Sequence, residues 1–283
     1  MITQITQFSI FAASSPADDL STATLVLLGL ISLAIGLVGG LIGIALGVIR
    51  LPAMVLLGVD PLIAASTNLL VSAVSSLAAS LPAIREKRVA YSVVVALGVP
   101  TFIGALIGGL YADVVPIWLL LSAVALFLVW SAISLISRAY RELKVDKASR
   151  KYAATYDGTL SPRTVAREGI LGLIIGLVGG AVGVALGVLR MPSLVQVLKM
   201  EPGMAAGTNL IITVLVSISG FTGHLIGDSN DWTLVMVVGT AATIGMFVGS
   251  RLTGRVEPAK LRLVVGIVLL LVAPVVLLDA ITR

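Results

Sequence analysis

The sequence predicts an all-α polytopic membrane protein of two inverted repeats, each a Gly-rich broken-helix hairpin followed by three transmembrane helices. Three observations lead there. Of 283 residues, 58% are hydrophobic and 12% charged, where a soluble domain carries about a quarter charged residues. Several apolar runs reach the ~20 residues that a helix needs to cross a bilayer, and none shows the alternation of a barrel strand. The third is an internal copy. Ile35–Pro52 and Ile175–Pro192 agree at 13 of 18 positions, and the five differences are apolar exchanges.

The first element of each copy is the Gly-rich stretch, "GLVGGLIGIALGVIRLP" at 36–52 and "GLVGGAVGVALGVLRMP" at 176–192. Gly39, Gly43 and Gly47 are spaced by four, as are Gly179, Gly183 and Gly187. On a helix that spacing makes a smooth stripe for a neighbouring backbone; packing alone accounts for it. A break is expected around Gly43–Pro52 and Gly183–Pro192, because glycine and proline loosen the helix. The apolar tail Leu51–Gly58 is too short to cross alone at ~1.5 Å per residue. Residues 22–59 and 169–199 therefore read as hairpins, either two short spans or a re-entrant pair of half-helices.

Three spans follow in each copy, near 62–84, 90–111 and 115–137, and near 203–226, 232–252 and 260–281. Asp60-Pro61 and Glu201-Pro202 read as helix starts, with the acid as N-cap and proline at the first helical position. Trp118 and Trp232 sit at span ends and read as interface anchors; Trp130 lies within a span and reads as packing. His224 is the only histidine and reads as interfacial, beside an acidic loop. The units are residues 20–137, a linker 138–168, and residues 169–281. The linker segment Ser137–Glu168 has eight Lys/Arg against four Asp/Glu, which places it in the cytoplasm, partly helical.

Loop charge sets orientation. "REKR" (Arg85–Arg88) is basic and "YAD" (Tyr111–Asp113) acidic; in the second copy "GDSND" (Gly227–Asp231) is acidic and "RLTGRVEPAKLR" (Arg251–Arg262) basic. The reversal turns one copy upside down, a plan of secondary transporters. The basic excess of +5 thus reads as topology and not as nucleic-acid binding. The N-terminus has no basic n-region, so no cleaved signal peptide is expected. The localisation expected is the cell membrane, crossed several times.

Arg50 and Arg190 carry the functional argument. A guanidinium in hydrocarbon costs at least about 2.5–3.5 kcal/mol. One reading is snorkelling to a headgroup boundary. The other is a polar cavity at the repeat interface, where both arginines bind an oxyanion through planar forks. Thr67, Asn68, Thr208 and Asn209, in "STN" and "GTN", would complete the site; helix-to-helix hydrogen bonding is their alternative role. Gly43, Gly47, Pro52, Gly183, Gly187 and Pro192 supply the break and the packing. Without cysteine there are no disulfides or thiolate metal sites, and no metal or cofactor is expected. No Gly-x-Ser-x-Gly elbow, His-Glu-x-x-His helix or pair of acids within spans is present, so an enzyme is not expected.

A Gly-rich segment ending in proline, a Pro-initiated helix with "AASTN" or "AAGTN", and a basic loop, duplicated in under 300 residues, resemble the sulfite exporter TauE/SafE family. Ala45-Leu46 and Ala185-Leu186 stand where that family commonly carries glycines. The resemblance implies an inner-membrane permease exporting a small anion such as sulfite, sulfoacetate or another organosulfonate. Rocking of one half against the other would give alternating access. The partners expected are that anion and the bilayer, with a homo-oligomer left open. A passive anion channel and a scaffold subunit with structural arginines are the alternatives.

Overall fold

The computed structural model describes residues 20–144, 156–225, 231–252 and 258–282. Most of the acidic "GDSND" stretch, residues 253–257 of the "RLTGRVEP" loop and the middle of the linker fall outside the described residues. The described residues form helices and no strand. Six helices among them are long and apolar enough to cross a membrane.

Helix α1 (Thr22–Ile42) begins where the Ser21 hydroxyl accepts the Thr24 amide at 3.1 Å. It ends at Gly43, whose φ of 69° lies in the left-handed region that glycine tolerates. A short helix α2 (Gly47–Leu56) follows, then α3 (Pro61–Arg85), capped by Asp60 accepting from the Leu62 amide at 2.8 Å. The half closes with α4 (Tyr91–Leu110) and α5 (Ile117–Lys144).

The second half repeats the order. Helix α6 (Pro162–Val182) is capped by Ser161 and stops at Gly183, φ 79°. Then come α7 (Gly187–Pro192), a π-helical turn Ser193–Val197, α8 (Pro202–His224), α9 (Trp232–Arg251) and α10 (Pro258–Thr282). Glu201 occupies the N-cap position of α8 but its side chain makes no capping bond; Asp60 does so in the first half. The expected linker is helical at both ends, since α5 runs on to Lys144 and α6 starts at Pro162. The expected hairpins take a third form. A full-length helix of 21 residues is followed by a short one, with the break at 43–46 and 183–186, between the second and third glycines of each stripe.

Glycine stripes lock the halves into each other. Gly36 lies against Ala242 and Gly40 against Met246, so α1 and α9 run in the same sense. Gly104 lies against Leu173 and Gly108 against Leu177, so α4 and α6 do likewise. Helices α4 and α8 also share a sense, with Gly98 near Ile212 and Gly109 near Gly220. Helices α6 and α8 therefore run the same way. The short stretch between them must carry the chain back, as a hairpin requires. By contrast α3 and α8 run in opposite senses: Leu69 meets Gly220 while Ala83 meets Gly207.

One end of the molecule gathers basic side chains. Arg85 and Arg88, from the α3–α4 turn, share a recess with Arg251 at the end of α9. The start of α8 is there too: a methyl on Gly203 would lie 3.3 Å from Arg88 Nη1. The linker's end joins them, with Tyr156 Oη 2.7 Å from Ser92 Oγ. Trp232 opens α9 and Trp118 lies in the first turn of α5, both exposed, and Trp130 stacks on Phe127 at 6.3 Å between centroids.

The stripes make a clear contrast. A methyl on Gly180 would strike the Ala105 carbonyl, whereas one on Gly29 would meet only Val237 Cγ1 at 3.4 Å. Gly180→Ala is expected to destabilise the fold by about 1–3 kcal/mol through overpacking. Gly29→Ala should be neutral or stabilising by up to about 1 kcal/mol, from helix propensity. Thermal unfolding in detergent compares them.

Candidate functional site

Each arginine sits in the first turn of the short helix that follows its break. From there it reaches the next long helix. Arg50 Nε donates to Asn68 Oδ1 at 2.9 Å, and its Nη2 donates to Ser72 Oγ at 2.7 Å and to the Asn68 carbonyl at 3.3 Å. Arg190 repeats the arrangement: Nε donates to Asn209 Oδ1 at 3.3 Å and Nη2 to Thr213 Oγ1 at 2.8 Å. Glycine makes the approach possible. A methyl on Gly47 would lie 2.9 Å from both amide atoms of Asn68, and one on Gly187 3.1 Å from Asn209 Nδ2. Pro52 and Pro192 lie within and at the end of the short helices, as expected of the break.

Both arginines are buried, 3% and 1% exposed, so neither snorkels to a headgroup boundary. Neither pairs with a carboxylate among the described residues. Burying a charge costs several kcal/mol, and each hydrogen bond from a charged group returns about 1.5–3 kcal/mol. Arg50, with three bonds, is close to balanced. Arg190, with two bonds, one of them long, is not.

The halves differ at the asparagine. Asn68 Nδ2 donates across the repeat boundary to the Gly183 carbonyl at 2.7 Å. The symmetry-related donor, Asn209 Nδ2, is buried without a partner, and so is Arg190 Nη1. The backbone is asymmetric in the same place. Leu186 adopts φ 46°, an uncommon state for a branched side chain, whereas its counterpart Leu46 has φ −91°. The π-helical turn Ser193–Val197 also belongs to the second half alone among the described residues; such turns are frequent at functional sites.

The structure thus joins Arg50 to Asn68 and Arg190 to Asn209, and leaves the two threonines apart. The Thr67 hydroxyl is buried without a partner; that of Thr208 accepts the Ala90 amide at 3.0 Å. Ser72 and Thr213 are arginine partners that the sequence reading missed. Their signal was present, since each lies four residues after its asparagine in both copies. Glu168 was missed as well. Taken as the last linker residue, it is buried in α6, paired with Arg167 at 2.8 Å and accepting from Ser193 Oγ. His224, the last residue of α8, is buried within the protein, with Nε2 2.9 Å from the Gly180 carbonyl of α6.

The chain has a match among known proteins. The family described as "Sulfite exporter TauE/SafE" matches residues 28–275. The chain belongs to that family. A curated relative, the "Probable membrane transporter protein YunE" of Bacillus subtilis (strain 168), is 25% identical over 271 residues, covering 89% of this chain and 96% of YunE. No solved structure matches the chain. With six helices apolar enough to span, this TauE/SafE protein is a multi-pass membrane transporter.

In this TauE/SafE chain the Asn68 amide serves two partners, Arg50 and Gly183. Asn68→Leu should cost about 1.5–3 kcal/mol, by leaving a buried guanidinium short of an acceptor. The double variant Arg50→Met with Asn68→Leu should recover part of that loss, because the buried charge goes too. Unfolding of the three proteins in detergent measures the coupling.

Proposed function

We propose that the protein is a secondary transporter that exports a small oxyanion, such as sulfite, sulfoacetate or another organosulfonate, across the inner membrane. The observation that carries this is the pair of buried donors without acceptors, Arg190 Nη1 and Asn209 Nδ2. Donors short of acceptors, one on a guanidinium with no carboxylate partner, suit an oxyanion and repel a cation. The names attached to the family and to YunE support transport as the activity. A neutral solute would leave the Arg190 charge uncompensated.

The two halves, 20–137 and 169–281, lie inverted in the bilayer on this reading, with the linker 138–168 in the cytoplasm. The opposite course of α3 and α8, and the basic side chains of both halves at one end, support it. Inversion supplies the second state. There the Asn209 amide donates to the Gly43 carbonyl, and the Asn68 bond to Gly183 opens. Arg50 and Asn68 then present the free donors to the other side of the membrane.

The moving bodies differ from those the sequence suggests. Rocking residues 20–137 against 169–281 would tear both glycine stripes, where backbones touch. The pairs α1–α9 and α4–α6 move as units instead, each drawn from both halves, and α3 and α8 form the contact between them. A passive channel with structural arginines is favoured by one observation only, the three hydrogen bonds of Arg50 to its own half.

Proteoliposomes with an imposed potential test the proposal. An inside-negative 100 mV favours efflux by about 2.3 kcal/mol per charge, so sulfite export should rise with potential and saturate with concentration. Arg190→Gln should lower flux roughly 10–100-fold, the loss of about 1.5–3 kcal/mol of charged hydrogen bonding. Flux unchanged when both arginines are glutamine removes the site. Flux without saturation points to the channel.

A further inference from the structure

The seam between α3 and α9 ends in a recess of about 490 Å³ lined by Pro82, Arg85, Glu86, Arg88, Ser250 and Arg251. One half supplies Arg85 and Arg88, the other Arg251. Glu86 is committed to Arg88 at 2.6 Å. The net positive charge of the recess therefore rests on Arg85 and Arg251. The Arg251 guanidinium is set over the Phe247 ring, 4.3 Å from its centroid. Each of these two arginines crowns an apolar stripe of its own helix. Val74, Leu77 and Leu81 lead up α3 to Arg85, and Ile244 and Val248 lead up α9 to Arg251. All five are two-fifths or more exposed.

Exposed apolar stripes are ordinary on membrane helices. Two of them, each ending in an arginine of one shared recess, make an amphiphile-shaped feature. We infer that this recess binds the headgroup phosphate of an anionic phospholipid, whose acyl chains lie against the stripes. Arginine forks match phosphate oxygens, and basic pockets between membrane helices hold anionic headgroups. A bound lipid would bridge the two halves at α3 and α9. The inference does not rest on the transported anion, whose proposed site involves α7 and α8.

The test compares thermal shifts of the purified full chain on adding phosphatidylglycerol, phosphatidylcholine or soluble glycerol phosphate. Phosphatidylglycerol should bind roughly thirtyfold more tightly than phosphatidylcholine, as two basic groups near a phosphate provide. Arg85→Gln with Arg251→Gln should abolish that preference, while Lys87→Gln, on the same turn but outside the recess, should keep it. Equal shifts with the two lipids, or a preference that survives in the double variant, overturn the inference. Glycerol phosphate matching phosphatidylglycerol overturns the lipid as source and leaves a free-phosphate site. If the double variant does not fold, native mass spectrometry of the wild type decides: retained phosphatidylglycerol supports the inference, and equal retention of both lipids contradicts it.

Discussion

A guanidinium buried without a carboxylate governs this structure. No carboxylate among the described residues neutralises the charge, so the bonds it makes come from amides, hydroxyls and carbonyls. That requirement explains the residues around it. Asparagine offers an oxygen to the arginine and keeps an amide for another partner, which Asn68 finds on Gly183. A hydroxyl four residues on, Ser72 or Thr213, reaches the same arginine from the same helix face. Gly47 and Gly187 are small so that the short helix can press against this group. A carboxylate in the asparagine's place would stabilise the cation more, and would also fill the position in which an external anion could bind.

The same small residues determine which parts of the chain form rigid units. Glycine stripes put the α1 backbone against α9 and that of α6 against α4. Each stripe thus joins a helix of one half to a helix of the other, Gly36 to Ala242 and Gly104 to Leu173. A duplicated chain is easily pictured as two blocks, one per copy. Here the copies are exchanged, and the left-handed glycines at the breaks, Gly43 beside Ala206 and Gly183 beside Ala65, fasten each half to the other's long helix.

Much of this was legible in the sequence. The spans, the break at Gly43 and Gly183, and the pairing of arginine with the following asparagine all leave repeated marks, because each depends on residue type at fixed spacing. The form of the hairpin was not legible, since a glycine stripe fits a broken helix and a packed one equally; only the neighbour's backbone decides. Glu168 misled because it closes a charged stretch in sequence, but helix α6 carries it inside through its bond with Ser193. Glu201 shows the limit of a motif: it has the place of Asp60 without its hydrogen bond. The asymmetry between Asn68 and Asn209 could not be read at all, because the two motifs are nearly the same and the difference lies in tertiary contact.

The central claim is that Arg190 and Asn209 hold an open place for an oxyanion. Binding of labelled sulfite to purified Asn209→Asp tests it most directly. The new carboxylate would neutralise Arg190 from within, so the account predicts a folded protein, at least as heat-resistant as the parent, that no longer binds sulfite. Binding at the parent's affinity would contradict it.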